Sequence, residues 1–186
     1  FVLLRSDGVP LYNFGAVVDD ITMGITLVAR GRDHMVNTPP QIMLYRALGG
    51  TLPEFAHLPM MLNQSGAKLS KRDGAVGVFE YRDAGFTPMG VLNYLVRFGW
   101  SFGDKEVFSR DELIDAFSWE HCGKPDGKFD PKKFAAIQFE HLKSEALVPD
   151  DEYVERVLPF LAARGLTVEP SAVKRALYTI RERGTT

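Results

Sequence analysis

An α/β segment that gives way to an all-α segment is the fold class this sequence predicts. Three observations predict it. Short β-prone runs alternate with a capped helical pattern over residues 1–62. Residues 63–77 form a polar, glycine-containing loop. From about Val78 the apolar period becomes helical, in segments that open on proline or a capping box.

Phe1 to Arg5 reads as a short strand and Asp7-Gly8-Val9-Pro10 as a turn. Tyr12 to Val18 and Ile25 to Ala29 are apolar, β-prone runs and read as strands. Asn37-Thr38-Pro39-Pro40-Gln41 opens a helix: Thr38 can cap, Pro39 suits the first helical position, and Gln41 completes a capping box. That helix runs to about Leu48 and stops at Gly49-Gly50, and His57 to Leu62 is a last short strand. Strands alternating with a helix imply a mostly parallel sheet.

In the second half, Thr87-Pro88 starts a helix with Val91, Leu92, Leu95 and Val96 on one face, ending at Gly99. Ser109-Arg110-Asp111-Glu112 is a capping box ahead of Leu113, Ile114 and Phe117. Asp130-Pro131 starts another helix, with Phe134, Ile137 and Leu142 apolar. Two more are expected around Tyr153 to Ala163 and Ala172 to Glu182. Composition shifts near Asp73, and more weakly near Val148-Pro149-Asp150, so three domains are expected: 1–75, 76–147 and 148–186.

A chain of 186 residues, 45% hydrophobic and 25% charged, has the composition of a folded soluble domain or two small ones. Net charge is −2, so a nucleic-acid partner needs a local basic patch. The single cysteine, Cys122, cannot form an internal disulfide and fits a reducing compartment. His34, His57, His121 and His141 are scattered, and no Cys/His set has zinc spacing, so no protein-held metal is expected. Asp19-Asp20 invites a metal reading, but neighbours on a strand point to opposite faces. A structural role is expected for both, with Asp20 capping the turn through Met23. The run Phe1 to Leu4 is too short for a signal-peptide core, and no apolar run approaches membrane-spanning length. The chain starts without Met inside an expected strand, which suggests a fragment.

Lys68-Leu69-Ser70-Lys71-Arg72 places three cations in five residues directly after a strand. Ligands of open α/β sheets bind beyond the carboxyl ends of strands, and lysine is a movable charge suited to a reacting polyphosphate. A solvated basic turn is the plainer reading of charge alone. A P-loop is excluded: Gly123-Lys124 and Gly127-Lys128 lack the following hydroxyl and a preceding strand.

This loop resembles the KMSKS loop of class I aminoacyl-tRNA synthetases, in the form seen in glutamyl enzymes. Ser6-Asp7-Gly8-Val9-Pro10-Leu11-Tyr12-Asn13-Phe14 is similar to their S-D-G-x-P-T-Y-x-[FL] stretch. Val17-Val18-Asp19-Asp20 with Met23-Gly24-Ile25-Thr26 matches V-V-D-D-x-x-M-G-[IV]-T. Arg30-Gly31-Arg32-Asp33-His34 with Asn37-Thr38-Pro39 matches R-G-x-D-H-x-x-N-T-P. Gln41, Tyr45, Ala47-Leu48-Gly49, Leu58-Pro59-Met60 and Phe98-Gly99-Trp100 continue in order, to about residue 130. On these blocks the chain is identified as a member of the glutamyl-tRNA synthetase family.

The resemblance implies the C-terminal half of a class I Rossmann-like catalytic domain over residues 1–75. A helical stem-contact domain would follow over 76–147, then the start of a helical anticodon-binding domain over 148–186. It implies a cytoplasmic, monomeric ligase that uses ATP with Mg2+ to activate L-glutamate and charges tRNA(Glu). Tyr12 and Arg30 would hold glutamate. Asp33, Met61, Lys68, Leu69, Ser70, Lys71 and Arg72 would serve ATP, with Met61 offering backbone to adenine and Lys68 and Lys71 acting in catalysis. The family's H-I-G-H motif does not occur in these residues. In the family it lies upstream, so the segment alone is expected to be inactive. Arg32, Ile21, Leu27 and the run Ala136-Ile137-Gln138 depart from the family pattern. Lys124, Lys128, Lys132, Lys133 and Lys143 offer phosphate contacts to a tRNA acceptor stem or simply solvated helix faces. Two rival readings are a glutamyl transferase acting on a modified tRNA base and a tRNA-binding module without catalysis. The helical material after Ser144 disfavours the first, and the intact loop with Tyr12 and Arg30 disfavours the second.

Overall fold

The computed structural model describes residues 1–70 and 77–183, in two compact units, Phe1–Met60 and Met61–Thr186. The α/β then all-α order holds. The compact units divide at Met60/Met61, whereas the motif-based domain line falls at 75/76.

In the first unit, α1 (Tyr12–Met23) precedes β1 (Leu27–Gly31). A 3-10 turn (Arg32–Asn37), α2 (Thr38–Ala47) and β2 (Glu54–Leu58) follow. β1 and β2 pair in parallel, with Arg30 opposite His57. This is the expected parallel sheet with a helical crossover.

Three expected strands change. Tyr12 to Val18 is the start of α1. Its β-branched residues suggest a strand, but Phe14, Val17 and Ile21 recur at helical spacing and enter one core with Leu44, Tyr45 and Phe55. Gly24 ends the helix at φ +67, where its N–H reaches the carbonyls of Asp20 and Ile21. Phe1 to Arg5 makes only an isolated bridge, Leu4 to Pro10, across the Asp7-Gly8 turn. The expected strand His57 to Leu62 is two: β2 begins earlier, at Glu54, and β3 (Met61–Leu62) starts the second unit. Pro59 supplies no N–H for a ladder at the break.

The second unit pairs β3 with β4 (Gly127–Lys128) in parallel. Around them stand α3 (Val78–Asp83), α4 (Pro88–Val96), α5 (Arg110–Ala116), α6 (Pro131–Lys143), α7 (Asp150–Ala163) and α8 (Pro170–Ile180). The caps are those the sequence announces. Thr87 Oγ1 accepts from Gly90 N–H, Ser109 and Glu112 form the capping box, and Asp130 Oδ1 accepts from Lys132 and Lys133 N–H. An aromatic cluster joins α4 to α6: Tyr94 stacks on Phe134 at 4.4 Å, with Tyr81, Phe86, Phe98 and Phe129 around them. Leu142 of α6 packs with Val148, Tyr153, Val154, Val173 and Leu177, so one core crosses the 147/148 line. Arg181 reinforces that junction. Its Nη2 donates to Val148 O and Asp150 Oδ1, both at 2.8 Å.

Three polar side chains are wholly buried between α4 and α6: Asn93, Gln138 and His141. Gln138 Oε1 accepts from the Thr87 hydroxyl at 3.0 Å, and its amide reaches Gly85 O at 3.4 Å. A methyl at Gly90 would stand 2.1 Å from Gln138 Oε1 and 2.9 Å from Thr87 Oγ1. Asn93 Oδ1 accepts from Phe108 N–H, so the His141 Nε2 that faces it at 2.9 Å carries the proton. Its Nδ1 is buried without a partner.

Gly90→Ala should destabilise this chain by about 1–3 kcal/mol through overpacking. In a Gln138→Ala background the cost of the same methyl should shrink, a coupling that a double-mutant cycle in urea reads directly. Burial holds His141 below the usual histidine pKa, so the folded state disfavours the imidazolium. Its contribution is full above the unfolded value of about 6.5 and is lost as pH falls below it, because the unfolded chain then binds the extra proton. His141→Gln should therefore flatten the stability–pH slope between about pH 6.5 and 5 relative to the parent chain.

Candidate functional site

The first unit gathers its candidate residues around the 3-10 turn between β1 and α2. Arg30 is the penultimate residue of β1, and Thr38 opens α2 directly after the turn. Arg30 Nη2 donates to Thr38 Oγ1 at 2.9 Å, and Thr38 Oγ1 lies 3.0 Å from His57 Nε2. The guanidinium carbon sits 5.9 Å from the Phe55 ring centroid, within cation–π range. Arg30 Nε is buried without a partner. One face of the guanidinium is thus fixed, and its other Nη hydrogens remain for a carboxylate.

The expected capping box at Thr38 is not formed. Asn37 stands at the N-cap without a side-chain cap bond. Thr38 spends its hydroxyl on Arg30 and His57, and Gln41 donates its amide to Asn13 at 2.9 Å. Long-range partners displace the local ones.

Asp33 and His34 lie on the turn itself. The Asp33 carboxylate folds back over the strand end: a methyl at Gly31 would stand 2.6 Å from its Oδ1. His34 Nδ1 faces the Asn37 amide at 3.3 Å, and its Nε2 lies 4.0 Å from Asp33 Oδ2. Tyr12, at the first position of α1, is 57% exposed and packs its ring 5.7 Å from His34. The structure therefore collects Tyr12, Arg30 and Asp33 about one turn. Asp20 does not cap the turn through Met23. It lies within α1 and accepts from the Tyr45 hydroxyl at 2.9 Å. Burial, then Asp20, pushes the Tyr45 hydroxyl well above its usual range, against the opposing charge of Arg30, so Tyr45 stays a donor.

The second unit carries Met61, Lys68, Leu69 and Ser70. Here the loop after β3 is a tight return. Leu69 N–H donates to Met61 O at 2.9 Å, Asn63 N–H to Ala67 O at 2.8 Å, and Leu62 bridges Lys68 in antiparallel fashion. Asn63 Oδ1 accepts from the Ser65 hydroxyl and from Ala67 N–H. The Gln64 amide donates to Phe129 O, tying the return to the residue after β4. Met61 and Leu69 are half-buried, while Lys68 and Ser70 are exposed. Lys71 and Arg72 lie outside the described residues.

Of the helical cations, Lys133 is committed to Glu106, whose carboxyl it holds below the usual range, and Lys143 lies over Phe139. Lys124, Lys128 and Lys132 are exposed. Gln138, where the family pattern is broken, is an internal packing residue. Among the described residues no three His, Cys, Asp or Glu side chains converge as a metal cage. No helix among them is long and apolar enough to cross a membrane.

The sequence missed Thr38 and His57 as partners of Arg30. The local pattern gives Thr38 the look of an ordinary cap and points His57 to no partner.

Comparison with known proteins agrees with this picture. The chain matches the family model "tRNA synthetases class I (E and Q), catalytic domain" over residues 1–136. It is 50% identical over 195 residues to a glutamate–tRNA ligase of Desulfosudis oleivorans, covering 96% of this chain and 42% of that protein. Identity is 51% over 186 residues to a glutamate–tRNA ligase of Anaeromyxobacter sp. (strain Fw109-5), covering 100% of this chain and 39% of that protein. The crystal structure of glutamate–tRNA synthetase from Elizabethkingia anophelis superposes with a TM-score of 0.84 at 29% identity, over 100% of this chain and 41% of that one. The chain spans about two fifths of the length of these relatives. With the motif blocks, the parallel sheet and the model match in agreement over most of its length, the chain belongs to the class I tRNA synthetases of the E and Q type, and carries part of their catalytic domain.

Proposed function

We propose that this chain is part of a glutamate–tRNA ligase: an enzyme that activates L-glutamate with ATP and passes it to the 3′ end of tRNA(Glu). The observation that carries this is the fixed guanidinium of Arg30, at the strand end that opens the R-G-x-D-H block, in a chain about half identical to glutamate–tRNA ligases. A guanidinium held by one edge forks onto a carboxylate, and the exposed Tyr12 hydroxyl adds a directed bond.

In the first step a glutamate carboxylate oxygen attacks the α-phosphorus of ATP. A P–O bond forms to glutamyl-adenylate and the bond to pyrophosphate breaks. The ribose hydroxyl of the tRNA terminus then attacks the activated carbonyl, and AMP leaves. No side-chain nucleophile is needed, so the protein contributes positioning and charge stabilisation. Lys68 and Lys71 neutralise the departing pyrophosphate, with Leu69, Ser70 and Arg72 shaping the same loop. Asp33 and the backbone of Met61 serve the nucleoside end. Magnesium, as the family's ATP chemistry implies, would come with the triphosphate and neutralise part of its charge.

Residues 76–147 are assigned to the acceptor stem, with Lys124, Lys128 and Lys132 as phosphate contacts, and 148–186 to the start of the anticodon-binding region. The parent enzyme is assigned to the cytoplasm and to a monomeric state.

Two substitutions in a full-length enzyme carrying this segment test the assignment. Lys71→Ala should slow ATP–pyrophosphate exchange about 100-fold or more, the scale of one lost transition-state donor, while tRNA affinity stays within about twofold. Unchanged exchange would remove Lys71 from the mechanism. Arg30→Ala should raise the KM for glutamate about 100-fold, as expected for a lost charge-assisted pair. An unaltered glutamate KM would place the amino acid elsewhere.

A further inference from the structure

We propose that Thr38 and His57 are positioning residues for amino-acid binding: together they hold the Arg30 guanidinium in the orientation that receives the substrate carboxylate. This rests on the assignment of Arg30 to glutamate.

The geometry begins with strand register. Arg30 and His57 are direct partners in the parallel ladder, so their side chains leave the same face of the sheet as neighbours. The first residue of α2 is set down between them, and Thr38 Oγ1 meets Arg30 Nη2 at 2.9 Å and His57 Nε2 at 3.0 Å. No one element supplies this arrangement. It takes β1, β2 and the start of α2 at once.

Guanidinium only donates, so Arg30 occupies one lone pair of the Thr38 oxygen. Thr38 keeps a second lone pair and one O–H, so His57 Nε2 at 3.0 Å either donates to that lone pair or accepts the O–H, according to its tautomer. In both cases Arg30, Thr38 and His57 form one hydrogen-bonded chain, and each bond polarises the next. His57 thereby orients the hydroxyl, and the hydroxyl orients the cation.

Arg30 has little else to hold it. Among the described residues its Nε is buried without a partner, and the Phe55 ring stands 5.9 Å from the guanidinium carbon in cation–π range. Without the Thr38 hydroxyl the guanidinium recovers rotamers that substrate must freeze again on binding. Such a defect falls on glutamate binding rather than on ATP or on the chemical step.

The experiment is steady-state ATP–pyrophosphate exchange in a full-length enzyme carrying this segment, with thermal melts alongside. Thr38→Val removes the hydroxyl at nearly constant shape and should raise the KM for glutamate about tenfold, with kcat and the KM for ATP within about twofold. Thr38→Ser should return the glutamate KM to within about twofold of the parent. His57→Phe, which touches only the far end of the chain, should raise it about threefold. A glutamate KM unmoved by Thr38→Val and His57→Phe, in an enzyme where Arg30→Ala does raise it, overturns the positioning role and leaves the Arg30 assignment standing. An Arg30→Ala enzyme with normal glutamate KM removes that assignment and this proposal with it. Equal rises in both KM values, or failure of serine to rescue, would mark Thr38 as a structural residue and also overturn the proposal. Should Thr38→Val melt below the assay temperature, Thr38→Ser and His57→Phe decide alone by the same criteria.

Discussion

The parallel pairing of β1 with β2 is the constraint on which the first unit depends. A strand has a side-chain period of two, so a slip of one residue would move Arg30 to the opposite face from His57. Register is held by burial. Phe55 of β2 and the helix residues Phe14, Val17, Ile21, Leu44 and Tyr45 close one core against the sheet. Hydrophobic contact therefore fixes where a charged group stands. The polar pairs Gln41–Asn13 and Tyr45–Asp20 add direction to that contact, joining α2 to α1 at two heights.

The second unit solves a different problem with similar means. Its helices are short, so their caps and buried polar groups decide which faces meet. Thr87 is the clearest case, since its oxygen caps α4 through Gly90 N–H while its proton goes to Gln138 of α6. Local helix initiation and long-range docking thus share one hydroxyl. Gly90 has no side chain because Gln138 fills that space. Asn93 adds a second such link, receiving Phe108 N–H and His141 while donating to Glu106 O. A buried polar group is tolerated when satisfied, and each satisfied group excludes packings that would orphan it. The unpartnered Nδ1 of His141 is an exception, as is Nε1 of Trp100, and the burial of His141 makes that helix pair sensitive to acid.

What could be read in advance follows from range. The caps at Thr87, Ser109 and Asp130 are signals within four residues, and the structure keeps all three. Tyr12 to Val18 looks like a strand because β-branched content outweighs a helical period that only shows once Ile21 is counted. Thr38 differs for the opposite reason. Its local pattern is a sound capping box, and partners 8 and 19 residues away took the hydroxyl instead. The candidate residues were found by ordered motif resemblance, since composition and charge alone favoured a solvated turn at Lys68 to Arg72. Their supporting contacts had no such motif and became visible only with the strand pairing.

That difference bears on how Arg30 is presented. An arginine offers specificity only if its planar fork is presented in one orientation, because a freely turning guanidinium meets a carboxylate no better than a point charge does. Arg30 lies where strand, turn and helix meet, and one hydroxyl there converts the rigidity of the backbone into a fixed side-chain direction. Nε, buried without a partner, gives the head no hold, and the Phe55 ring is indifferent to rotation in its plane. The orientation of the fork is therefore set by the Thr38 bond. The residue that the sequence assigned to starting a helix is the one that aims the cation.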